Sequence, residues 1–358
     1  MYAVIMAGGK GTRFWPLSRE RKPKHLIDII GAGSIIQQTV NRIRPLISAE
    51  NILIVTAESH AGELIRQLPD IPRRNVIVEP AGKNTAPCIG LAAIHVRKRT
   101  PDDVMVVLPS DHLITDEEQF RSLLASAAEI AEAGDDLIAI GIKPRRPETG
   151  YGYLEQGELA ATARQESFYK VRSVREKPDL PEAESFIKSG NFLWNSGMFV
   201  WTVSAVMRAL SIWLPDLFRG LREIEEALET DRERDVVDHV YRSIDPISID
   251  HGVMEKANNI LLARGDFGWS DVGSWDALWE VAIKDEAGNA VKGNTPFVGI
   301  NARNSLVRGS GKLIALVGVE DLIVVETDDS LLICRRGASQ DVKKVVEILG
   351  AERKTDYL

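Results

Sequence analysis

Short apolar runs alternate with amphipathic stretches over residues 1–142. The runs at 4–5, 52–56, 76–78, 104–108 and 137–142 have the length and composition of buried strands. Between them, apolar residues recur at helical spacing over 35–46, 61–68, 85–99 and 120–133. Strands that alternate with helices and are apolar along their whole length indicate a mostly parallel sheet covered on both faces. The predicted fold class is therefore α/β.

The pattern changes in the second half of the chain. Hairpin-like strands are predicted at 150–154 and 168–175, and residues 202–243 are predicted to be largely helical. Beyond residue 287, short β-type runs at 297–300, 305–307, 313–317, 322–326 and 331–334 precede a last helix at 342–349. Their spacing suggests a short β-helix, although it is too irregular to establish a repeat. We therefore predict two domains, 1–286 and a small β-rich domain at 287–358.

Charge and cysteine content narrow the class of protein. The net charge is −8, from 44 basic and 52 acidic residues that are interspersed, which argues against a general nucleic-acid or membrane-surface binder. Only Cys88 and Cys334 are present, too few for a disulfide scaffold. The chain begins directly with a predicted strand, and no run approaches the roughly 20 apolar residues of a membrane span. We therefore expect a cytoplasmic protein whose anionic ligands bind at a local basic site.

A glycine-rich segment follows the first predicted strand. Gly8, Gly9 and Gly11 allow positive φ and let backbone N–H groups approach an anion, as in phosphate-binding loops. The spacing matches neither a dinucleotide-binding turn nor a P-loop. Instead, Arg13 closes the loop and Lys24 follows Pro23, so that two cations could converge on one polyphosphate. A tight strand-to-helix connection is the plainer alternative.

The segment from Gly8 to Arg19, followed by Pro23-Lys24, resembles the loop of the sugar-nucleotidyltransferase family. The form Phe14-Trp15-Pro16-Leu17-Ser18-Arg19 is most similar to the mannose-1-phosphate guanylyltransferases (GDP-mannose pyrophosphorylases) of that family. The resemblance implies a Rossmann-like sheet of the nucleotide-diphospho-sugar transferase type, mixed but mostly parallel. It also implies catalytic roles for Lys24, at the α-phosphate of GTP, and for Arg13, at the pyrophosphate. The nucleotide-binding residues it implies here are Gly8, Gly9, Gly11, Thr12, Arg13 and Lys24.

Two aspartates in loops are candidate metal ligands. Asp111 follows the predicted strand at 104–108, and a carboxylate at the end of such a strand can bind Mg²⁺. The segment Trp269-Ser-Asp271-Val-Gly-Ser-Trp275 also resembles the family, which implies that Asp271 is the second ligand. Alternatively, either aspartate caps the helix that follows it.

Three further segments match the family at its sugar-phosphate site. The resemblance implies that Glu176 binds a sugar hydroxyl, that Lys177 binds the phosphate, and that Asn195 binds sugar hydroxyls. The segment at 148–152 is similar to the one whose N–H groups contact the sugar, and it contains Gly150. Because neighbours on a strand point to opposite faces, we do not expect Glu176 and Lys177 to share one ion pair. By itself, the segment at 194–199 would be interpreted as a turn that leads into a strand.

The segment at 79–87 precedes a predicted helix. Its N–H groups and the amide of Asn84 could recognise a purine edge or a phosphate, and Thr85 could instead be the N-cap of the helix. We therefore add Asn84 and Thr85 to the nucleotide-binding candidates. His251, in the segment at 248–255, is interpreted as structural.

The resemblance implies transfer of GMP from GTP to mannose 1-phosphate with Mg²⁺, giving GDP-mannose and pyrophosphate. From the charge pattern we expect neither nucleic acid nor membrane as a partner, and the C-terminal β-rich domain could mediate a homodimer. The alternatives are the same fold with another nucleotide and hexose 1-phosphate, or a non-catalytic regulatory subunit that binds the sugar nucleotide. A regulatory subunit should have lost charged site residues, whereas Arg13, Lys24, Asp111, Lys177 and Asp271 are all present. Some relatives carry an added phosphomannose isomerase domain; because the chain stops at Leu358, we expect no isomerase activity.

Overall fold

A computed structural model of the chain describes residues 1–9, 11–29, 31 and 33–358. The chain divides into two compact units. The first, called the sheet unit, comprises Met1–Gly8, Val40–Ser110 and Ile114–Trp269. The second, called the β-helix unit, comprises Gly9–Thr39, Asp111–Leu113 and Ser270–Leu358. The boundary between residues 286 and 287 stays a prediction.

The strands of the described residues are β1 (Tyr2–Ala7), β2 (Ile52–Ala57), β3 (Val76–Glu79), β4 (Val104–Pro109), β5 (Leu113–Ile114), β6 (Leu137–Ile142), β7 (Gly152–Ala163), β8 (Glu166–Arg175), β9 (Phe192–Thr202), β10 (Ile260–Gly265), β11 (Trp269–Ser270), β12 (Ala290–Gly293), β13 (Phe297–Ile300), β14 (Leu306–Gly309), β15 (Ile314–Val317), β16 (Leu322–Glu326) and β17 (Leu331–Arg335). The α-helices are α1 (Ile35–Ile43), α2 (Glu58–Gln67), α3 (Thr85–Arg99), α4 (Glu117–Glu132), α5 (Leu180–Ser189), α6 (Val203–Trp213), α7 (Pro215–Ala227), α8 (Glu233–Ser243), α9 (Trp275–Val281) and α10 (Val342–Ala351).

The sheet unit is built on one mixed sheet, with strand order β3-β2-β1-β4-β9-β6-β10-β8-β7. Four of the strands predicted from apolar runs, β3, β2, β1 and β4, pair in parallel, and Ile5 of β1 lies beside Ile54 of β2 and Leu108 of β4. The later strands add antiparallel pairs: β9 lies between β4 and β6, and β7 and β8 form the predicted hairpin. The residues at 194–199 are thus inside a central strand, and their interpretation as a turn was wrong. The polar side chains Asn195 and Ser196 concealed the strand.

Helices α3, α6, α7 and α8 share one apolar core with the sheet strands. Helix α3 is buried on most of its circumference, and Gly90 leaves room for α7, because a Cβ at Gly90 would collide with Leu221 Cδ1. Several helices have a side-chain N-cap: Asp116 caps α4, and Thr202 caps α6. The described part of the chain contains no helix long and apolar enough to cross a membrane.

The β-helix unit stacks short strands in parallel. β12, β14 and β16 pair in this order, β13 pairs with β15, and the paired residues are 16 or 17 positions apart in the chain. Each turn of chain therefore returns to the same face, which is the geometry of the suggested β-helix. A second apolar core joins this stack to the segment at 9–39: Phe14, Trp15 and Ile27 pack with Trp275 and Leu306.

Candidate active site

The glycine-rich loop places its backbone against Lys24. Gly9 and Gly11 have φ of 92° and 58°, values that residues with a Cβ rarely adopt. Gly11 precedes a 3₁₀ helix at Thr12–Phe14. A Cβ on Gly11 would lie 2.5 Å from the Cβ of Lys24, so only glycine permits this approach.

Lys24 is buried, with 5% of its surface exposed, and its ammonium group contacts both aspartates predicted to bind metal. Nζ lies 2.8 Å from Oδ2 and 2.9 Å from the backbone oxygen of Asp111, and 2.5 Å from the backbone oxygen of Asp271. These three acceptors match the three protons of an ammonium group. We call Lys24, Asp111 and Asp271 the Lys24 centre.

The Lys24 centre keeps Asp111 ionised. Burial alone would raise the pKa of Asp111, but the charge of Lys24, the charge of His112, the hydrogen bond from Lys24 and the charge of His25 together lower it to about 2. Burial is the largest single influence on this pKa, but the nearby cations and the hydrogen bond from Lys24 together outweigh it. Asp111 is thus a carboxylate at any physiological pH.

Neither aspartate is a helix cap, so both alternative interpretations were wrong. Asp116 caps α4, where its side chain accepts a hydrogen bond from Gln119 N at 3.0 Å. Ser274 caps α9 through Ala277 N, while Oδ1 of Asp271 accepts from Gly273 N at 3.2 Å.

The short helix that carries Thr12 and Arg13 is anchored by aromatic side chains. The Phe14 and Trp275 rings meet edge to face with centroids 4.9 Å apart, and Trp275 Nε1 donates to the backbone oxygen of Trp15 at 3.1 Å. Arg13 itself is exposed, and among the described residues it has no ion-pair partner. Its guanidinium is therefore accessible to an anion.

A second group of predicted residues meets at Gly152, in the sheet unit. A Cβ on Gly152 would lie 2.5 Å from Glu176 Oε2 and 3.3 Å from the Cβ of Asn195, so the glycine leaves room for both. Asn195 Oδ1 accepts from Gly197 N at 3.1 Å, and its Nδ2 donates to Asp250 Oδ1 at 2.7 Å. We call Gly152, Glu176, Asn195 and Asp250 the Asn195 centre.

Glu176 and Lys177 form an ion pair, with Lys177 Nζ 3.2 Å from Glu176 Oε1. The expectation that they would not was wrong, because β8 ends at Arg175 and Lys177 has a left-handed φ of 48°. Outside the strand, the alternation of side chains no longer applies. The pair leaves the Lys177 side chain 63% exposed.

Gly150 has its N–H engaged by a side chain, since it donates to Glu148 Oε1 at 3.1 Å. The same carboxylate group accepts from Arg146 Nε at 3.2 Å. A sugar hydroxyl at the Gly150 N–H would therefore have to replace Glu148.

Asn84 and Thr85 lie at the start of α3. Asn84, with φ of 72°, is the N-cap residue, and its side chain accepts from Thr85 N at 2.8 Å. Thr85 is not the cap: its Oγ1 accepts from Ile249 N at 2.8 Å. The alternative that Thr85 is the N-cap was thus wrong, because Asn84 is the N-cap of α3.

Asp250 is the member of the Asn195 centre that the sequence analysis missed. Burial and the nearby carboxylate of Glu176 raise the pKa of Asp250 to about 6, although the hydrogen bond from Asn195 opposes the rise. Its sequence signal was the group of polar residues Ser248, Asp250, His251 and Glu255 among apolar neighbours.

The donor set of the Lys24 centre fits a hard divalent cation. Asp111 and Asp271 offer carboxylate oxygens, and Asp111 is ionised. Among the described residues, no group of three His, Cys, Asp or Glu side chains could hold a metal ion. Two carboxylates suit Mg²⁺, which takes few protein ligands and completes its shell with water and phosphate oxygens.

Known proteins resemble this chain along nearly its whole length. The Nucleotidyl transferase family matches residues 2–288, and the MannoseP isomerase/GMP-like beta-helix domain matches residues 295–349. A curated mannose-1-phosphate guanylyltransferase from Escherichia coli is 37% identical over 99% of this chain and 76% of its own length. One from Klebsiella pneumoniae is 38% identical over 99% of this chain and 75% of its own length.

The chain belongs to the mannose-1-phosphate guanylyltransferase family.

A solved structure shows that the similarity of this guanylyltransferase family member to known proteins includes the fold. The crystal structure described as mannose-1-phosphate geranyltransferase from Thermus thermophilus has a TM-score of 0.88 and 31% identity, and the match covers 98% of this chain and 99% of that chain. The predicted family, the α/β fold with a β-rich C-terminal domain, and the prediction of a nucleotidyltransferase are confirmed. The roles of individual site residues stay predictions.

Proposed function

We propose that the chain transfers GMP from GTP to α-D-mannose 1-phosphate and releases GDP-mannose and pyrophosphate. The observation that carries this proposal is the Lys24 centre, a buried ammonium group between two aspartates in a member of this family. Such a centre supplies fixed charge for phosphates and needs no protein nucleophile.

In this reaction an oxygen of the mannose 1-phosphate attacks the α-phosphorus of GTP. The bond from that phosphorus to the oxygen bridging the α- and β-phosphates breaks, and this oxygen leaves with pyrophosphate. Lys24 would stabilise the charge at the α-phosphate, where a phosphate oxygen replaces one of its three present acceptors. Arg13, which is exposed, would bind the leaving pyrophosphate together with the N–H groups of Gly8, Gly9, Gly11 and Thr12.

Asp111 and Asp271 would hold Mg²⁺. When bound, the cation would add positive charge next to the phosphate oxygens. Because Asp111 already pairs with Lys24, the same carboxylate would hold the cation and orient the ammonium group.

The remaining candidates would recognise the two substrates. Asn84 and Thr85 at the N-terminus of α3 would contact the nucleotide, where N–H groups and the helix dipole favour negative charge. Lys177, exposed beyond β8, would bind the sugar phosphate. Glu176, Asn195 and the Gly150 N–H would bind hydroxyls of the hexose.

Pyrophosphate release should be measured with Mg²⁺ across four nucleoside triphosphates and a panel of hexose 1-phosphates. We expect release with GTP and mannose 1-phosphate. Release with a different pair would retain the reaction and correct the substrates, because a few pocket contacts decide base and sugar. Folded protein that releases no pyrophosphate but binds GDP-mannose would instead be a regulatory subunit.

We also propose that the protein is a homodimer. The β-helix unit exposes Val298, Ile300 and Val317 on β13 and β15, at 45%, 54% and 62% of their surface. An apolar face of this kind suits a second copy. A molar mass from light scattering that corresponds to a monomer at working concentration would contradict the homodimer.

A further inference from the structure

The segment from Ile247 to Glu255 contacts residues of both predicted substrate sites, although sequence analysis gave it no function. At its start, Ile247 N donates to Lys83 O at 3.0 Å, and Ala86 N donates to Ile247 O at 3.1 Å. Ile249 N then donates to Thr85 Oγ1 at 2.8 Å. The first part of the segment is thus tied to the predicted nucleotide-binding segment.

The second part of the segment contacts the predicted sugar-binding residues. Asp250–Met254 form a π-helical turn, a geometry that is rare and frequent at functional sites. Oδ1 of Asp250 accepts from Asn195 Nδ2 at 2.7 Å. Glu255 accepts from Glu176 N at 3.3 Å through Oε1 and contacts His251 Nδ1 at 3.0 Å through Oε2.

We propose that Asp250 is a positioning residue that orients the amide of Asn195 toward the hexose of the sugar phosphate. This inference rests on the proposed function. The amide is held from two sides, because Gly197 N donates to Oδ1 and Asp250 accepts from Nδ2. If the amide were flipped, its oxygen would face the Asp250 carboxylate and its NH₂ would face the Gly197 N–H.

This orientation leaves bonding capacity for a hydroxyl group. A side-chain amide has two N–H donors and two oxygen lone pairs. Asp250 and Gly197 use one of each, so Asn195 retains one donor and one acceptor for a ligand. A hydroxyl group both donates and accepts, which matches this pair.

The surrounding charges also favour a ligand rich in hydroxyl donors. Glu176 and Asp250 bring two carboxylates into the Asn195 centre, while Lys177 pairs with Glu176 and His251 pairs with Glu255. The elevated pKa of Asp250, about 6, reflects burial first and the Glu176 carboxylate second. Sugar hydroxyls can donate to the Glu176 carboxylate, whereas a purely anionic ligand would be repelled by both carboxylates.

The test compares Asp250→Ala with Asp250→Asn. Asparagine keeps an acceptor oxygen for Asn195, whereas alanine removes it. We expect Asp250→Ala to raise KM for the hexose 1-phosphate by about tenfold or more, the loss typical of a hydrogen bond to a charged group. KM for the nucleotide should stay within about twofold, and Asp250→Asn should restore most of the hexose affinity.

A pH series adds a readout that a packing role would not change. In the wild type, KM for the hexose 1-phosphate should change between about pH 5 and 7 as Asp250 ionises. Asp250→Asn should remove the part of that change that Asp250 causes, whereas the part caused by the second ionisation of the substrate phosphate, with a pKa of about 6, should stay in both proteins. Asp245→Ala, which removes an exposed carboxylate nearby in the chain, is the matched control and should behave as wild type.

The outcomes separate this inference from the proposed function. Wild-type activity with unchanged hexose KM in Asp250→Ala, or equal increases for both substrates, would overturn the role of Asp250 alone. If Asp250→Ala does not fold, Asp250→Asn decides the question. If its KM for the hexose 1-phosphate has the same pH dependence as the wild type, the role of Asp250 is overturned. Wild-type protein that releases no pyrophosphate and binds no GDP-mannose in calorimetry would overturn both proposals.

Discussion

The Lys24 centre and the Asn195 centre each contain an aspartate, but the surroundings shift the two pKa values in opposite directions. Asp111 contacts a buried ammonium group, which lowers its pKa to about 2. Asp250 contacts a neutral amide and lies near the Glu176 carboxylate, and its pKa is raised to about 6. In the first centre the Lys24 ammonium group neutralises the Asp111 carboxylate, and the site suits phosphates and cations. The second has excess negative charge and suits hydroxyl donors, so the difference distinguishes two ligand chemistries in one chain.

The anchoring of the glycine-rich loop offers the largest expected effect. Trp275→Ala removes a fully buried ring that contacts Phe14 and Trp15 and should lower the free energy of unfolding by about 3–5 kcal/mol. Where the variant is folded, kcat should fall because the helix carrying Arg13 loses its support. Denaturant unfolding and pyrophosphate release measure the two effects. Trp213→Ala, at an exposed tryptophan of α6, is the control, and an equally large loss there would refute the specific role of Trp275.

Lys24→Ala tests the charge of the Lys24 centre. We expect kcat to fall by roughly 10²–10³-fold, about 3–4 kcal/mol of transition-state stabilisation, with a much smaller change in KM for GTP. Lys22→Ala removes an equal charge from an exposed position two residues away and should leave both constants unchanged. Steady-state kinetics that show a near-normal kcat for Lys24→Ala would exclude Lys24 from the chemistry.

Exchange of aspartate for asparagine should have opposite effects on stability at the two centres. Asp250 has a folded pKa above its unfolded value of 3.8, so its ionisation costs stability as pH rises from about 4 to 6. Asp250→Asn should therefore raise the free energy of unfolding at pH 7.5 by up to about 3 kcal/mol and leave it unchanged at pH 4.

The ionisation of Asp111 has the opposite effect on stability and contributes to it. Its folded pKa lies below the unfolded value, so its contribution is present above about pH 4 and is lost as pH falls toward 2. Asp111→Asn should lower the free energy of unfolding at pH 7.5 by about 1 kcal/mol, a value reduced because the side chain is 35% exposed to screening solvent. Urea titrations of both variants at the two pH values measure the contrast, and changes of the same sign would refute it.

Alanine should have different effects at Gly11, which lies against Lys24, and at Gly152 of the Asn195 centre. Gly11→Ala forces a Cβ into left-handed backbone and against Lys24, at a cost of at least about 1–2 kcal/mol in stability and with a lower kcat. Gly152→Ala mainly displaces the end of the Glu176 side chain, so it should raise KM for the hexose 1-phosphate with little loss of stability. Thermal melts and kinetics of both variants give the comparison. Equal loss of stability at both positions would show that Glu176 cannot move aside.

The sequence by itself determined the buried strands and the glycine-rich loop, and it supplied Lys24, Asp111 and Asp271 as predicted site residues. Apolar runs in β1, β2 and β4 predict buried strands because the length and composition of a run are local properties of the chain. The loop could be identified because left-handed backbone favours glycine, and Gly9 and Gly11 lie close together in the chain. These features depend on residues a few positions apart.

Only the tertiary structure decided which distant groups meet. Lys24 contacts Asp111 and Asp271, which are 87 and 247 residues away in the chain, and Asp250 contacts Asn195 across 55 residues. Phe14, Trp15 and Ile27 pack with residues beyond 270. Lys177 lies beyond the end of β8, where it can pair with Glu176. Periodicity carries no information on such pairs, because long-range packing sets the burial and charge that act on each side chain. The ion pair of Asp111 and the elevated pKa of Asp250 both arise at that level.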